Sequence, residues 1–198
     1  MKARIVITLF VSLISFGINA QQAKQYDSTM KLGKAGYRVR CSNKKVDKNN
    51  VNINPIGFES AGSRDVDIEI KGRINKAEVD DLNNDGFPDM VLYVFNANDK
   101  NKGYVVGISS SSNEGMVPMF FPDILDDLKL RVGYNGYDEF ELLQGTLLRR
   151  FPLFDNTDPA NPKPTGLTRQ IQYRVVAGER GVLKFTVLRS FDVDKNKK

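Results

Sequence analysis

Apolar and polar residues alternate over much of the chain, and this pattern predicts short β-strands rather than helices. Alternating or short apolar stretches predict strands at residues 66–70, 90–95, 104–108, 139–143, 146–151, 170–175 and 183–188. The stretch at 90–95 is apolar throughout, as in a strand that is buried on both faces. Residues 139–143 and 146–151 flank a Gln-Gly pair, so they predict a hairpin.

One stretch has helical periodicity. Pro122 begins it, and Ile124, Leu125 and Leu128 share one face of a helix that would extend to residue 130. Many short strands separated by turns with Gly, Asn and Pro indicate a mainly β protein. We therefore predict a single antiparallel β-sandwich or barrel-like domain with one short helix.

The first twenty residues have the pattern of a secretory signal peptide. Lys2 and Arg4 precede an apolar run at residues 5–18, and Ala20 places a small residue at the cleavage site. The apolar run, about 14 residues long, is shorter than the roughly 20 residues that span a bilayer. We expect residues 1–20 to be removed and the protein to be periplasmic or secreted, without a membrane span.

The segment that follows the signal peptide is mostly polar. Residues 42–55 contain many Asn and Lys and have no sustained hydrophobic period, so they predict a loop. We therefore expect a polar N-terminal segment at residues 21–55, with one short strand at most. The β domain is expected to cover residues 56–198.

The composition excludes several kinds of chemistry. The 198 residues include no His and a single Cys, Cys41, which excludes His-based catalytic triads and cysteine-cluster zinc sites. Any bound metal must have oxygen ligands. The net charge of +5 is modest, and two of the basic residues leave with the signal peptide, so we predict no nucleic-acid partner. No nucleophile or acid–base pair stands out, and we predict that the protein is not an enzyme.

A loop rich in carboxylates is the sharpest local motif. Oxygen-bearing groups occur at every second position, namely Asp81, Asn83, Asp85, the carbonyl of Phe87, and Asp89, with Gly86 at a sharp turn. Such spacing allows the groups to converge on one Ca²⁺, as in strand–loop–strand calcium sites. The alternative is a turn that is stabilised by hydrogen bonds from its own Asx side chains.

Several arginines also attract attention. Arg149, Arg150, Arg169 and Arg174 could form an anion-binding patch, or they could alternate on the solvated faces of strands. The second interpretation is favoured, since long basic side chains on strands commonly reach into solvent.

Segments across most of the chain resemble one known family. The quoted segments are Ala77–Asp89, Asn135–Phe140, Gly145–Pro152, Pro164–Tyr173 and Gly178-Glu179. In their order and spacing they resemble the periplasmic inhibitors of invertebrate-type lysozyme. The resemblance implies a small secreted β-sandwich or barrel-like protein without catalytic activity, which pushes a loop with a Ser-Gly…Tyr motif into the lysozyme cleft.

The loop that matches the inhibitory loop of that family is Asn96–Tyr104. It contains no Ser-Gly pair, and the chain contains no Ser-Gly-x-x-Tyr sequence. The resemblance still implies a protein partner, a lysozyme, with Lys100, Lys102 and Tyr104 as contact residues, assisted by Tyr137 in the 133–139 loop. The alternative function is a calcium-stabilised extracytoplasmic module that binds a protein or a glycan.

Overall fold

Twelve β-strands form most of the computed structural model, which describes residues 24–59 and 64–194. Within these ranges the helical residues are limited to two short 3-10 turns, Ile124–Asp126 and Glu179–Gly181. The prediction of a mainly β protein is confirmed. The strands are β1 Tyr26–Leu32, β2 Ala35–Cys41, β3 Asn49–Ile56, β4 Val66–Ile70, β5 Arg73–Asp80, β6 Asp89–Asn96, β7 Lys102–Ser111, β8 Gly115–Phe120, β9 Glu139–Leu143, β10 Thr146–Asp155, β11 Lys163–Ala177 and β12 Leu183–Asp194.

Eight of these strands form one sheet that curls into a nearly closed barrel. Its order is β5-β6-β7-β8-β12-β11-β10-β9. Every neighbouring pair is antiparallel except β8 and β12, which run parallel where Leu183 faces Met119, so the sheet is mainly antiparallel. The two edge strands meet through side chains: Glu78 of β5 accepts a hydrogen bond from the backbone N–H of Leu142 at 3.1 Å. Asp80 of β5 accepts one from Gly145 N–H, also at 3.1 Å.

The interior of the barrel is filled with apolar side chains. One residue in two along each strand faces inward, as the period of a strand requires. The inward set is rich in aromatic rings and includes Val91, Tyr93, Val105, Leu147, Phe151, Ile171, Tyr173 and Phe185. The connection between β8 and β9 adds Ile124 and Tyr134 to the same core.

The remaining four strands form a second sheet that covers the outside of the barrel. β1 to β4 pair in chain order, and their inner face packs against the outer face of β5, β6 and β7. Tyr37, Val39, Val51 and Ile53 lie in this second core with alternate residues of β6. Strand β6 is therefore buried on both faces, which confirms the prediction from its continuous apolar run.

Two sequence predictions about secondary structure are wrong. The expected polar N-terminal segment at residues 21–55 forms three strands, and the predicted loop at 42–55 contains most of β3. Asn alternates there with buried Val51 and Ile53, and these Asn residues face away from the core, so the short apolar pattern was obscured. The predicted helix at 122–130 is reduced to one 3-10 turn, which Asp123 caps and which ends at Asp127 in an extended conformation.

Part of the predicted organisation lies outside the described residues. The signal peptide at residues 1–20 is one such prediction. Across the described ranges, no helix has the length and apolar character that a membrane crossing requires.

Candidate functional site

The loop to which the family resemblance assigns the inhibitory role is the hairpin connection of residues 97–101 between β6 and β7. Lys102 N–H donates to the Asp99 carbonyl at 2.9 Å, and both central residues, Lys100 and Asn101, have positive φ (49° and 51°). Positive φ at both positions is the signature of the type I′ turn, whose twist suits a β-hairpin. The Asp99 carboxylate also pairs with the Lys102 ammonium at 3.0 Å. The hairpin is thus held in one conformation, with Lys100 exposed at its turn.

The 133–138 loop packs directly on this hairpin. Tyr137 N–H donates to the Lys100 carbonyl at 2.8 Å, and the Lys100 ammonium donates to the side-chain oxygen of Asn135. Gly136 has φ of +88°, and a Cβ there would lie 2.5 Å from the Lys100 carbonyl oxygen, so this close approach requires glycine. The structure therefore brings Lys100 and Tyr137 together; we call residues 96–102 and 133–138 the paired loops.

Tyr137 is held in an unusual conformation. Its φ is +61°, which is rare for a bulky side chain. The ring stacks on Phe154, with the ring centres 6.0 Å apart, yet 47% of the residue remains exposed. Strained backbone of this kind costs about 1–3 kcal/mol and persists only where surrounding contacts hold it. Tyr137 thus presents an exposed ring on a loop whose backbone contacts that of Lys100, which is also exposed.

Lys102 and Tyr104 occupy different positions from the other two predicted contact residues. Both line a cleft of about 460 Å³ between the hairpin and the connection that follows β8. Tyr104 is half-buried in β7, and its hydroxyl accepts a hydrogen bond from Lys71 N–H at 2.8 Å. Burial raises the pKa of Tyr104 above its ordinary value. Tyr104 is thus part of the wall beside the turn, away from its exposed tip.

A buried ion pair fixes the base of the paired loops. Arg149 of β10 donates through Nε to Asp138 at 2.7 Å, and Arg149 is only 2% exposed. The other Asp138 oxygen accepts from Tyr134 OH at 2.6 Å and from Gly103 N–H at 2.8 Å. One carboxylate therefore connects the 133–138 loop, the start of β7 and β10. The prediction that Arg149 lies on a solvated strand face is wrong.

Aromatic rings surround the Arg149 guanidinium. Its central carbon lies 5.3–5.9 Å from the ring centres of Phe121, Tyr134, Phe140 and Phe151. Burial opposes the charge, but the attraction of Asp138 outweighs it and raises the pKa of Arg149. Burial, together with the Asp138 charge, raises the pKa of Tyr134. Arg149 therefore stays charged and Tyr134 stays neutral at physiological pH.

The acidic loop connects β5 and β6, at the end of β6 that is opposite the β6–β7 hairpin. The two oxygens of Asp81 accept hydrogen bonds from the backbone N–H groups of Asp85 (3.0 Å) and Gly86 (2.9 Å). Asp85 in turn accepts from Phe87 N–H at 2.9 Å and from the Asn83 side chain at 2.8 Å. These predicted metal ligands lie together, and in this arrangement they accept hydrogen bonds from the backbone N–H groups of their own loop.

Asp89, the last predicted ligand, is fully buried. One of its oxygens accepts from the N–H groups of Leu82 (2.9 Å) and Asn83 (3.2 Å). The other, Oδ1, has no hydrogen-bond partner among the described residues, and burial raises the pKa of Asp89 to about 6. An orphaned buried carboxylate oxygen suits a cation. Against this, no three Asp, Glu, Cys or His side chains of the described residues are gathered closely enough to hold a metal as they stand.

Comparisons with known proteins give little further information. No family model matches the sequence, and no curated protein matches it. One solved structure, described as "Structure of a Xanthomonas Type IV Secretion System related protein", has 13% identity over 86% of this chain and 97% of that chain, with a TM-score of 0.33. A likeness at that TM-score supports no statement about fold or function.

Proposed function

We propose that the protein is an extracytoplasmic, non-enzymatic binding protein that inhibits a lysozyme by inserting the paired loops into its cleft. The observation that carries the proposal is the contact between Tyr137 N–H and the Lys100 carbonyl, at 2.8 Å. Through it, two segments that are distant in sequence present one surface with an exposed ammonium and an exposed aromatic ring. Tyrosine is among the residues that most often contribute the energetic centre of a protein interface.

Rigidity of the paired loops supports the same proposal. The type I′ turn, the Gly136 approach to Lys100 and the buried Asp138–Arg149 pair all restrict these loops before any partner arrives. A surface that is already ordered loses less conformational entropy on binding, which favours tight association. The nearest buried carboxylate, Asp138, is engaged by Arg149 and Tyr134, so we assign it a structural role and no part in acid–base catalysis.

The test is a turbidity assay of cell-wall lysis by lysozymes of several classes, including the invertebrate type. We expect the wild-type protein to inhibit at least one of them. Replacing Lys100→Ala together with Tyr137→Asn should weaken inhibition at least tenfold, because interface energy concentrates in a few anchors. Asn tolerates the positive φ at position 137, so the loop should remain folded.

A control variant removes an aromatic ring elsewhere that is more exposed than Tyr137. Phe120 on β8 is 61% exposed and lies outside the paired loops. Phe120→Ala should inhibit like the wild type. If no class of lysozyme is inhibited by the wild-type protein, the proposal is wrong.

A calcium-stabilised module that binds a protein or a glycan is the second candidate. The observation that favours it is the orphaned Oδ1 of Asp89, within a loop whose spacing suits Ca²⁺. Asp81, Asn83, Asp85, Asp89 and the carbonyl of Phe87 would hold the ion after rotation away from the backbone N–H groups. The ion would neutralise the buried carboxylate and stabilise the end of the barrel where β5 and β6 are joined.

A further inference from the structure

We propose that a basic collar formed by Lys44, Lys45, Lys71 and Arg73 extends from the base of the β6–β7 hairpin along the 42–48 loop and binds an acidic surface around the cleft of a protein partner. This inference rests on the proposed function and specifies the chemistry of the partner. Two segments distant in sequence, residues 42–48 and the β4–β5 turn, supply the four side chains. Neither segment belongs to the loop that the sequence singled out.

The 42–48 loop is held in place by buried polar side chains. Arg73 donates to the carbonyls of Lys44 (3.1 Å) and Lys45 (3.2 Å), and Asn49 donates to the Lys45 carbonyl at 2.7 Å. Asn43 exchanges two hydrogen bonds with the backbone of Ile74 in β5. The backbone of this loop is therefore anchored, while the Lys44 and Lys45 side chains remain exposed.

The β4–β5 turn is tied to the hairpin strands in the same way. Lys71 N–H donates to the Tyr104 hydroxyl of β7. Gly72 has φ of +148°, and a Cβ there would lie 2.5 Å from the carbonyl oxygen of Phe95, so the turn lies directly against the end of β6. This contact places Lys71 and Arg73 beside the base of the hairpin.

Arg73 and Lys71 of the collar line cavities beside the hairpin, whereas Lys44 and Lys45 line a separate cavity that contains no residue of the hairpin. On one side a cavity of about 370 Å³ includes Arg73 together with Asn101 of the hairpin. On the other, the cleft of about 460 Å³ includes Lys71 and Lys102. Basic side chains thus flank the hairpin on both sides.

The collar carries charge that its surroundings do not neutralise. Among the described residues, Lys44, Lys45, Lys71 and Lys100 take part in no ion pair. The acidic side chains at this end are Asp47 in the same loop, Asp67 in the cavity that Lys44 and Lys45 line, Glu69, which is paired with Lys48, Asp99, which is paired with Lys102, and Asp123 at the cleft. An anionic partner would therefore gain attraction without first breaking an ion pair of the collar.

The distribution of charge across the molecule strengthens the argument. Five of the 29 basic residues lie outside the described part and none of the 24 acidic residues does, so the described part has no net charge. The charges are nevertheless separated, because the acidic loop lies at the far ends of β5 and β6, about 25 Å from the collar. Such polarity orients an approaching acidic protein towards the hairpin and accelerates association. An exposed aromatic ring within a polar rim is also the composition of a protein interface rather than of a polyanion groove.

The experiment measures association of an immobilised invertebrate-type lysozyme with the wild-type protein and two charge-reversal variants, at low and at high salt. The collar variant is Lys44→Glu with Lys45→Glu. The matched control is Lys163→Glu with Lys184→Glu, two exposed lysines on β11 and β12. We expect the collar variant to associate at least tenfold more slowly at low salt, with little change in dissociation, and the control to stay within twofold of the wild type. Equal association rates for the two variants, or association that is independent of salt, would overturn the proposal that the collar binds an acidic surface.

A second arm separates failure of the collar from failure of the proposed function. If no lysozyme binds, the same three proteins are titrated with poly-L-glutamate and with heparin. Binding of poly-L-glutamate that is lost only in the collar variant supports the collar, although the lysozyme proposal has failed. Absence of poly-L-glutamate binding, or a preference for heparin, overturns the inference that the collar binds an acidic protein.

Discussion

The two turns that flank strand β6 use their polar residues in opposite ways. At the β6–β7 end, the backbone of the hairpin is satisfied by its own turn and by the 133–138 loop, so Lys100 and Tyr137 remain exposed. At the β5–β6 end, the carboxylates of Asp81 and Asp85 turn inward onto the N–H groups of their own loop. Exposed side chains at the first turn can contact a partner. Beneath the second turn, a proton or a cation would stabilise the buried carboxylate of Asp89.

The two turns also differ in the hydrogen bonding of the buried carboxylate that lies beneath each of them. Beneath the hairpin end lies a buried carboxylate, Asp138, whose partners include a guanidinium, a hydroxyl and a backbone N–H. Beneath the acidic loop lies Asp89, which has one oxygen without a partner. A satisfied buried charge fixes a conformation, and an unsatisfied one destabilises the fold.

The largest expected effect concerns the Asp138–Arg149 pair. Asp138→Ala should lower the free energy of unfolding by about 3–5 kcal/mol, because it leaves the Arg149 charge buried without its partner. Denaturant unfolding measures the loss. The double variant Asp138→Leu with Arg149→Met should recover part of it, since both charges are then gone. A loss below about 1 kcal/mol for Asp138→Ala would contradict the role of this pair.

Calcium should act at the other end of β6. A ligand that binds only the folded state stabilises it by about 2.7 kcal/mol at a hundredfold excess over Kd. Extracellular calcium sites commonly have Kd values of about 10⁻⁴–10⁻³ M, so millimolar calcium should raise Tm, with a smaller effect from magnesium. Asp85→Ala should abolish the rise, and Asp126→Asn, an exposed carboxylate outside the loop, should preserve it. Identical melting curves in calcium and in chelator would show that the loop is only a turn.

The pH dependence of stability should reveal Asp89 in calcium-free buffer. Its pKa is raised to about 6 in the folded protein from a usual value of 3.8, so the folded state binds the proton more tightly than the unfolded state. This contribution is fully present below pH 3.8, decreases as the pH rises to about 6 and is absent above it. The decrease should be about 3 kcal/mol. Asp89→Asn should remove this component from the unfolding free energy measured between pH 4 and 7, and an unchanged profile would exclude the assignment.

The sequence predicted the strands around β6 better than it predicted β3. Local periodicity identified the strands around β6, because their apolar residues repeat every two positions and β6 is buried on both faces. It missed β3, whose outward Asn residues masked two buried aliphatic ones. The acidic loop was identified because the spacing of its ligands is local, whereas the 96–104 and 133–139 loops were indicated by the family resemblance. The Asp138–Arg149 pair was missed because only the closed barrel brings a loop carboxylate and an inward-facing strand arginine together.

The basic collar was missed for a related reason. The 42–48 segment has the composition of an ordinary exposed loop, and its position beside the hairpin depends on Arg73 and Asn49, which come from other strands. Contacts between residues that are distant in sequence leave no periodic signal. The sequence therefore indicated candidate turns, while the residues that surround these turns could be identified only from the fold.

The most direct test of the account compares variants of the two turns in the same lysis-inhibition assay. Lys100→Ala with Tyr137→Asn changes the hairpin end, and Asp85→Ala changes the acidic loop, with folding of each variant checked by its melting curve. The account predicts at least a tenfold loss of inhibition for the hairpin-end variant and inhibition within about twofold of wild type for Asp85→Ala. Full inhibition by the hairpin-end variant, together with loss in Asp85→Ala, would contradict the assignment of the paired loops as the binding surface.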